Sequence, residues 1–364
     1  MRNTNVSLTK LALQKFKSNF WGVFSFWIIV LIGVLAIIAY VVAPDNTQNA
    51  NQMHLTIHSK KPGFKVMMLT IPSEDNSNQS VFSKWLFGEK SADTEIPITD
   101  YYLEENDLVY TEYASDGLKG VVKNVSLDRF PNKEFSKYIQ QRTFVFGTDK
   151  YGRDYLSRVL IGARISFSIG FVAVFISLVI GIIMGSMAGY FGGKVDTIIM
   201  FLINVTWSIP TLLLVIAIIL ALGKGFWQVF IAVGLTMWVE VARVVRGQVM
   251  GIKKMQYVTA AKALGFTDYR IIVKHILPNI MAPIIVISAA NFAAAILIES
   301  GLSFLGIGAQ PPMASWGAMI KDHYSYIILG KPYLAIIPGL CIMILVMAFM
   351  LMGNALRDAL DVKT

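Results

Sequence analysis

Residues 165–193 have the sequence ISFSIGFVAVFISLVIGIIMGSMAGYFGG, a run of 29 residues without Asp, Glu, Lys or Arg. About 20 consecutive apolar residues are enough for a helix to cross the hydrocarbon core of a bilayer. The run therefore predicts a membrane-spanning helix.

Four other runs of 23 residues or more also lack charged residues, so this stretch is one of several. Only 15% of the 364 residues are charged, and the mean hydropathy is +0.58. Soluble domains carry about a quarter charged residues, so the composition excludes an ordinary soluble enzyme and predicts a polytopic membrane protein. The other runs are 18–44, 197–223, 276–298 and 332–356.

A sixth span is predicted at 226–247, although only 15 uncharged residues precede Glu240. Arg243 and Arg246 lie one turn apart and could extend to the headgroup region. With six spans, segment 243–275 faces the same side as the N-terminus, and it holds seven Lys and Arg against one Asp. Because basic loops stay in the cytoplasm, both termini are predicted to be cytoplasmic. The same rule accounts for the net charge of +9 without nucleic acid.

The polar segment after the first span is predicted to lie outside the cytoplasm. Lys65–Ile71 and Leu108–Tyr113 are rich in residues that favour strands. We expect an extracytoplasmic insert of mixed or β-rich character.

Several motifs of catalytic and metal sites are absent from the sequence. No phosphate-binding G-x-x-x-x-G-K-[ST] and no H-E-x-x-H occurs, and the four histidines are not spaced as a metal cluster. The single cysteine, Cys341, excludes an internal disulfide framework. We expect no catalytic residue, no metal site and no cofactor in this chain.

Within the predicted spans, small and polar residues mark candidate packing and transport positions. Gly181, Gly185 and Gly189 recur every fourth residue, a pattern that lets membrane helices approach closely. Glu299 is a carboxylate deep in a predicted span, which makes it a functional candidate. A structural role near the outer end of the helix is the equally weighted alternative. Asn291 and Ser300 are further candidates for the transport path.

The cytoplasmic segment 255–279 is predicted to fold as two short helices. Tyr257, Ala260, Ala261 and Leu264 follow the spacing i, i+3, i+4, i+7 of one helical face. Gly265 ends this helix, and Thr267 or Asp268 caps a second one that ends before Pro278. Alanines and a glycine on the face favour docking of a protein partner over the alternative, a helix lying on the membrane surface.

These residues carry a resemblance to a known family. Thr259-Ala260-Ala261, Gly265 and His275-Ile276-Leu277-Pro278 resemble the EAA loop of permease subunits of ABC importers. Thr259 stands where that family often has Glu, and the insert is longer than is typical. Further blocks resemble the second, C-type permease of the dipeptide, oligopeptide and nickel branch: Phe146–Arg158, Glu299–Gly306, Gln310–Pro312 and Leu356–Leu360.

The resemblance implies the type I ABC importer permease fold, all-helical with six spans, working by alternating access. It also implies a sister permease, two ATPase subunits that bind ATP and Mg, an extracytoplasmic binding protein and an inner-membrane location. The expected cargo is peptides; the alternatives are nickel or another small solute, an ion-coupled secondary transporter, and a membrane anchor for the insert. The implied ATPase-coupling residues are Tyr257, Thr259, Ala260, Ala261, Leu264, Gly265 and Pro278.

The sequence thus predicts one order of segments along the chain. It comprises a cytoplasmic N-terminus (1–20), a first span (21–43), the insert (44–145), and a permease domain (146–364) with spans at about 163–190, 197–222, 226–247, 280–303 and 332–356 and a coupling loop at 248–279.

Overall fold

The computed structural model describes residues 8–73, 79–90, 93–114, 118–223 and 225–360, and these are predominantly helical with a five-stranded sheet. Part of the predicted N-terminal segment, residues 1–7, lies outside the described residues. The helices are α1 (Leu8–Ser18), α2 (Phe20–Ile37), α3 (Ala39–Val42), α4 (Val81–Phe87), α5 (Tyr155–Phe191), α6 (Gly193–Ser208), α7 (Thr211–Leu222), α8 (Phe226–Ile252), α9 (Gln256–Ala263), α10 (Asp268–Ile271), α11 (Met281–Phe304), α12 (Trp316–His323) and α13 (Tyr333–Leu360). The strands are β1 (Phe64–Ile71), β2 (Thr94–Glu104), β3 (Asp107–Glu112), β4 (Val122–Ser126) and β5 (Ile139–Phe144).

Five stretches in the described part of the chain are long and apolar enough to cross a membrane, and a bent helix pair could make a sixth. The helix α5 begins eight residues before the predicted boundary, at Tyr155, and α8 extends five residues past its predicted end, to Ile252. The stretches are Phe20–Ile37, Tyr155–Phe191, Trp227–Ile252, Asp268–Phe304 and Tyr333–Leu360.

The predicted continuous span at 197–222 is wrong in one respect, because the structure divides it into α6 and α7 at an angle of 95°. Pro210 lies at the break and lacks the N–H that a helix interior requires. The residue before it, Ile209, is extended, with φ −98° and ψ 128°. Proline disfavours helical geometry in its predecessor, so the local sequence explains the bend.

The sequence predicts that the second helix of the cytoplasmic segment ends before Pro278, and α10 does end at Ile271, but the helical path continues through the proline. The chain stays helical from Asp268 to Phe304 by way of a widened turn at Ile272–Ile276 and a tightened one at Leu277–Ile280. In the widened turn the Leu277 N–H donates to the carbonyl of Ile272, five residues back. This shift of the hydrogen-bond pattern makes room for the proline ring, which would clash in a regular helix.

The chain divides into two compact units. The helical unit comprises the described residues of Met1–Gly33, Ser166–Gln310 and Gly339–Thr364, and the sheet unit comprises Val34–Ile165 and Pro311–Pro338.

The helical unit has glycines and aromatic rings at its helix contacts. A Cβ on Gly181 would lie 2.5 Å from Cβ of Val241, and one on Gly185 would lie 2.4 Å from the Ala242 carbonyl oxygen. The glycine spacing therefore packs α5 against α8. Elsewhere in the unit, the Phe292 ring stacks on Phe349 with centroids 4.1 Å apart.

The sheet unit contains an antiparallel sheet with strand order β4-β3-β2-β1-β5. Alternate residues of β1 point to opposite faces, and both faces are covered. Val66 and Met68 pack with Ile57 and Phe144, whereas Leu69 packs in a second cluster. The remaining buried members of that second cluster are Ile98, Leu108, Tyr110 and Phe130.

Candidate functional site

The first candidate site is the loop that joins α8 to α11, and its central feature is the end of α9. Gly265 has φ +77°, the left-handed conformation that favours glycine. The Phe266 N–H donates to the Ala261 carbonyl at 3.2 Å, and the Gly265 N–H donates to the Lys262 carbonyl at 3.0 Å. These two bonds form a Schellman motif, which ends α9 and reverses the chain.

The helix α9 has a buried side and an exposed side. Val258 and Ala261 are buried in a cluster with Tyr190, Val241 and other apolar residues of the helical unit. Ala261, which the sequence placed on the docking face, is only 4% exposed and does not belong to that face. It lies three residues after Val258 and completes the packed side of the helix instead. The exposed predicted residues are Tyr257, Thr259, Ala260, Leu264, Gly265 and Pro278.

Tyr190, at the end of α5, contacts this loop on both sides of α9. Its hydroxyl donates to Oδ1 of Asp268 at 2.6 Å, and the ammonium of Lys253 donates to its backbone carbonyl. Thr267 caps α10 by accepting from the Arg270 N–H. The loop is therefore fixed to the helical unit while part of α9 remains exposed.

Two arginines of α8 have partners that the sequence analysis missed. Arg246 makes two hydrogen bonds to the carboxylate of Asp196, at 2.5 and 2.6 Å. The Arg243 guanidinium lies 3.6 Å from the centre of the Trp207 ring. Asp196 is the one acidic residue between the uncharged runs 165–193 and 197–223, a signal that could have identified it as a partner of a helix arginine.

The three transport-path candidates are buried inside the helical unit. Glu299 accepts a hydrogen bond at 2.7 Å from Ser303 Oγ, and Ser303 Oγ in turn accepts from the Ala309 N–H at 3.0 Å. Asn291 and Ser300 are buried as well. None of them is on an exposed surface of the described chain. The exposed residues of α11 are Met281, Ile285, Ala290, Leu297 and Phe304.

A cavity of about 410 Å³ lies in the helical unit. It is mostly apolar, with one guanidinium among its lining side chains. Its described lining residues do not include the three path candidates. They are Val244, Ala282, Pro283, Val286, Ile287, Ala290, Arg357 and Leu360.

The block Phe146–Arg158 forms a buried ionic cluster in the sheet unit. Asp149 is fully buried; its Oδ2 accepts from Arg153 Nε at 2.6 Å and lies 3.8 Å from Arg158 Nε. Arg153 Nη1 donates to Asn51 Oδ1 at 2.9 Å, and Arg158 Nη1 donates to the Asn49 carbonyl at 3.1 Å. The block thus fastens the segment around residue 50 to the start of α5.

Among the described residues, no group of three or more His, Cys, Asp or Glu side chains could hold a metal ion. Comparison with known proteins gives this arrangement its context.

The sequence model of the family described as "Binding-protein-dependent transport system inner membrane component" matches residues 162–364. The chain belongs to this family. Residues 7–62 of the permease match a second model, the N-terminal transmembrane domain of oligopeptide transport permease C.

Named transport permeases of other bacteria are similar to this permease in sequence. It is 45% identical over 218 residues to the dipeptide transport system permease protein of Bacillus subtilis, covering 60% of this chain and 68% of the relative. It is 41% identical over 218 residues to the oligopeptide transport system permease protein of Escherichia coli K12, covering 60% and 72%. The inward-facing MetNI methionine ABC transporter aligns with a TM-score of 0.47 and 18% identity, covering 56% of this chain and 95% of that one.

Proposed function

We propose that this permease is one of two membrane subunits of an ATP-driven importer of short peptides. The observation that carries the proposal is the match of 162–364 and 7–62 to transport permeases whose named relatives handle dipeptides and oligopeptides. The sister subunit would be a second permease, and selection of the cargo would begin at an extracytoplasmic binding protein.

Coupling to ATP hydrolysis is assigned to the exposed side of α9. Tyr257, Ala260 and Leu264 lie at i, i+3 and i+7, and all three are exposed. The opposite side of α9 packs in the helical unit. A rigidly attached helix with an exposed apolar side provides a surface against which a partner can push. ATP and Mg would be bound by the ATPase subunits, and this chain would hold no cofactor.

The proposed orientation follows from charge. Segment 243–275, with seven Lys and Arg, would lie in the cytoplasm together with both termini, and insert 44–145 would lie outside. The bent pair α6–α7 would count as one of six spans. The path candidates Asn291, Glu299 and Ser300 are packed inside the helical unit, so they would meet cargo only in a state in which its helices separate.

The coupling proposal can be tested with a matched pair of variants. Leu264, the residue that follows α9, is 74% exposed, and Tyr269 on α10 is 77% exposed. The substitution Leu264→Asp should abolish co-purification of the ATPase subunits and uptake, because a carboxylate cannot be desolvated at an apolar contact. Tyr269→Asp should preserve both. Retention of the ATPase subunits by Leu264→Asp would overturn the assignment of this face.

The cargo is tested separately by uptake of labelled trialanine into cells that express the complete transporter. We expect competition by unlabelled dipeptides and oligopeptides, and none by a nickel chelate. Failure of the cells to take up trialanine, together with uptake of a labelled nickel chelate, would replace the peptide assignment with the metal branch of the same family.

A further inference from the structure

The short helix α4 (Val81–Phe87) exposes a cluster of large apolar side chains. Val81 is 85% exposed and Phe82 is 68% exposed, and Phe87 is exposed at the other end of the helix. The Phe82 and Trp85 rings lie 5.6 Å apart. Contiguous exposed apolar side chains of this kind mark an interaction surface.

The C-terminal end of α4 is fastened to the segment that follows the first predicted span. The Glu89 N–H donates to the Asn46 carbonyl at 2.9 Å, and the Gln48 N–H donates to the Glu89 carbonyl at 3.2 Å. Gly88, which precedes Glu89, lies so close to Tyr40 that a Cβ there would be 2.8 Å from the Tyr40 ring. These contacts place α4 beside the end of the uncharged run 18–44.

A second contact links α4 to the start of another uncharged run. Arg164 is the last charged residue before the uncharged run 165–193, and its Nη1 donates to the Trp85 carbonyl at 3.2 Å. The carbonyls of the last helical turn have no partner within the helix, and this bond satisfies one of them. The Arg164 guanidinium also lies 5.2 Å from the centre of the Tyr40 ring. The helix α4 therefore touches the boundaries of two apolar runs.

We propose that α4 lies in the lipid–water interface, with its exposed side chains among the headgroups and upper acyl chains of phospholipids. Trp and Phe are residues that membrane-surface helices place in this region. The helix α3, which contacts α4, also exposes two apolar side chains, Val41 and Val42. The one charged side chain of α4, Lys84, is paired with Glu89, which follows the helix. The proposal depends on membrane location and not on the cargo.

The test uses the full chain, reconstituted with its partner subunits in vesicles of phosphatidylethanolamine and phosphatidylglycerol. In a Cys341→Ala background, a nitroxide is attached at Phe82→Cys, at Val81→Cys or at the control Leu118→Cys. Leu118 is a suitable control because it is also apolar, 75% exposed and part of the sheet unit. Collision rates of each nitroxide with oxygen and with a water-soluble nickel chelate are then compared.

Labels at positions 81 and 82 should show a higher oxygen rate and a lower nickel rate than the label at 118, as expected for a site among lipids. Nickel rates at 81 and 82 equal to that at 118 would overturn the proposal, because the helix would then face water. Low rates with both reagents would also overturn it, because they would indicate a protein partner over α4. Two label sites keep the result interpretable if one substitution prevents folding.

Discussion

At the scale of single residues, the structure depends on positions where a side chain must be very small or must carry a charge. Gly185 illustrates the first kind, because the Ala242 carbonyl oxygen occupies the space of its missing Cβ. Asp149 illustrates the second, because two buried arginines surround its carboxylate. The glycine spacing predicts close helix packing. In the cluster around Asp149, by contrast, Arg153 donates to Asn51, about a hundred residues away, and no local pattern reveals that contact.

Replacement of Gly185 by Val should push α5 and α8 apart and lower the stability of the helical unit by about 1–3 kcal/mol or more. Gly247→Ala on α8 is the control, because a Cβ there meets nothing within 4 Å. The measurement is the thermal aggregation midpoint of the purified chain in mild detergent. Equal midpoints for the two variants would contradict the close contact.

Replacement of Asp149 by Asn should destabilise the sheet unit by about 3–5 kcal/mol, because it leaves Arg153 and Arg158 buried without a carboxylate. The control Asp322→Asn removes a half-buried partner of Lys150 and should cost at most about 1 kcal/mol. Hydrogen exchange of the segment around residue 50 measures the effect. Unchanged protection in Asp149→Asn would show that the cluster does not hold this segment.

At the scale of elements, the spacing of apolar residues predicts the helix α9 but does not decide which of them are buried. Tyr257, Ala260 and Leu264 are exposed, whereas Ala261 packs with Val258. Alanine is small enough for either a docking surface or a core, so the sequence does not decide between them. Charge counting also missed the bend between α6 and α7, because Pro210 carries no charge and does not interrupt an uncharged run.

The two sides of α9 predict opposite outcomes for neighbouring alanines. Ala261→Asp should release α9 from the helical unit, because it buries an unpaired carboxylate in an apolar cluster. Ala260→Asp should leave the helix in place and weaken only partner binding. Limited trypsin digestion at Lys253, Lys254 and Lys262 distinguishes them: faster cleavage is expected for Ala261→Asp alone. Equal cleavage of both variants would place the two alanines in equivalent surroundings.

At the scale of the whole molecule, the number and rough positions of the apolar helices were predictable, because a charge-free run is a local property. Which segments of the chain form the sheet unit was not predictable. It includes 311–338, whose Trp316 indole N–H donates to the Val159 carbonyl at 2.9 Å. Contacts between residues 157 positions apart leave no signature in a sequence window.

The stability of the sheet unit should fall as the pH drops from 6.5 towards 4. Burial, and next the Arg142 charge, hold the pKa of His54 at about 4, while Asp45 and Glu95 act in the opposite direction. Below pH 6.5 the unfolded chain binds a proton at His54 that the folded unit does not bind. The free energy of unfolding therefore falls by on the order of 3 kcal/mol by pH 4. Burial raises the pKa of Glu95, whose own proton uptake offsets part of this loss.

The His54→Gln variant isolates the histidine contribution to this pH dependence. Hydrogen exchange of β1 and β5, corrected for the intrinsic effect of pH, should show a steeper loss of protection in the natural chain than in the variant. Parallel curves would mean that His54 titrates normally in the folded unit.

The segment 311–338 also has a consequence for the order of events during synthesis. Its Asp322 pairs with Lys150, and the Tyr333 hydroxyl donates to the Lys60 carbonyl at 2.9 Å, so the last pieces of the sheet unit are translated long after the first. At about 5–20 residues per second, the ribosome needs roughly 10–35 seconds to go from the end of the first piece at Ile165 to Pro338. During that interval the nascent sheet unit lacks its closing segment, while most of the helical unit is still being made. A chaperone or protease that binds new chains therefore encounters this protein while its sheet unit is still incomplete.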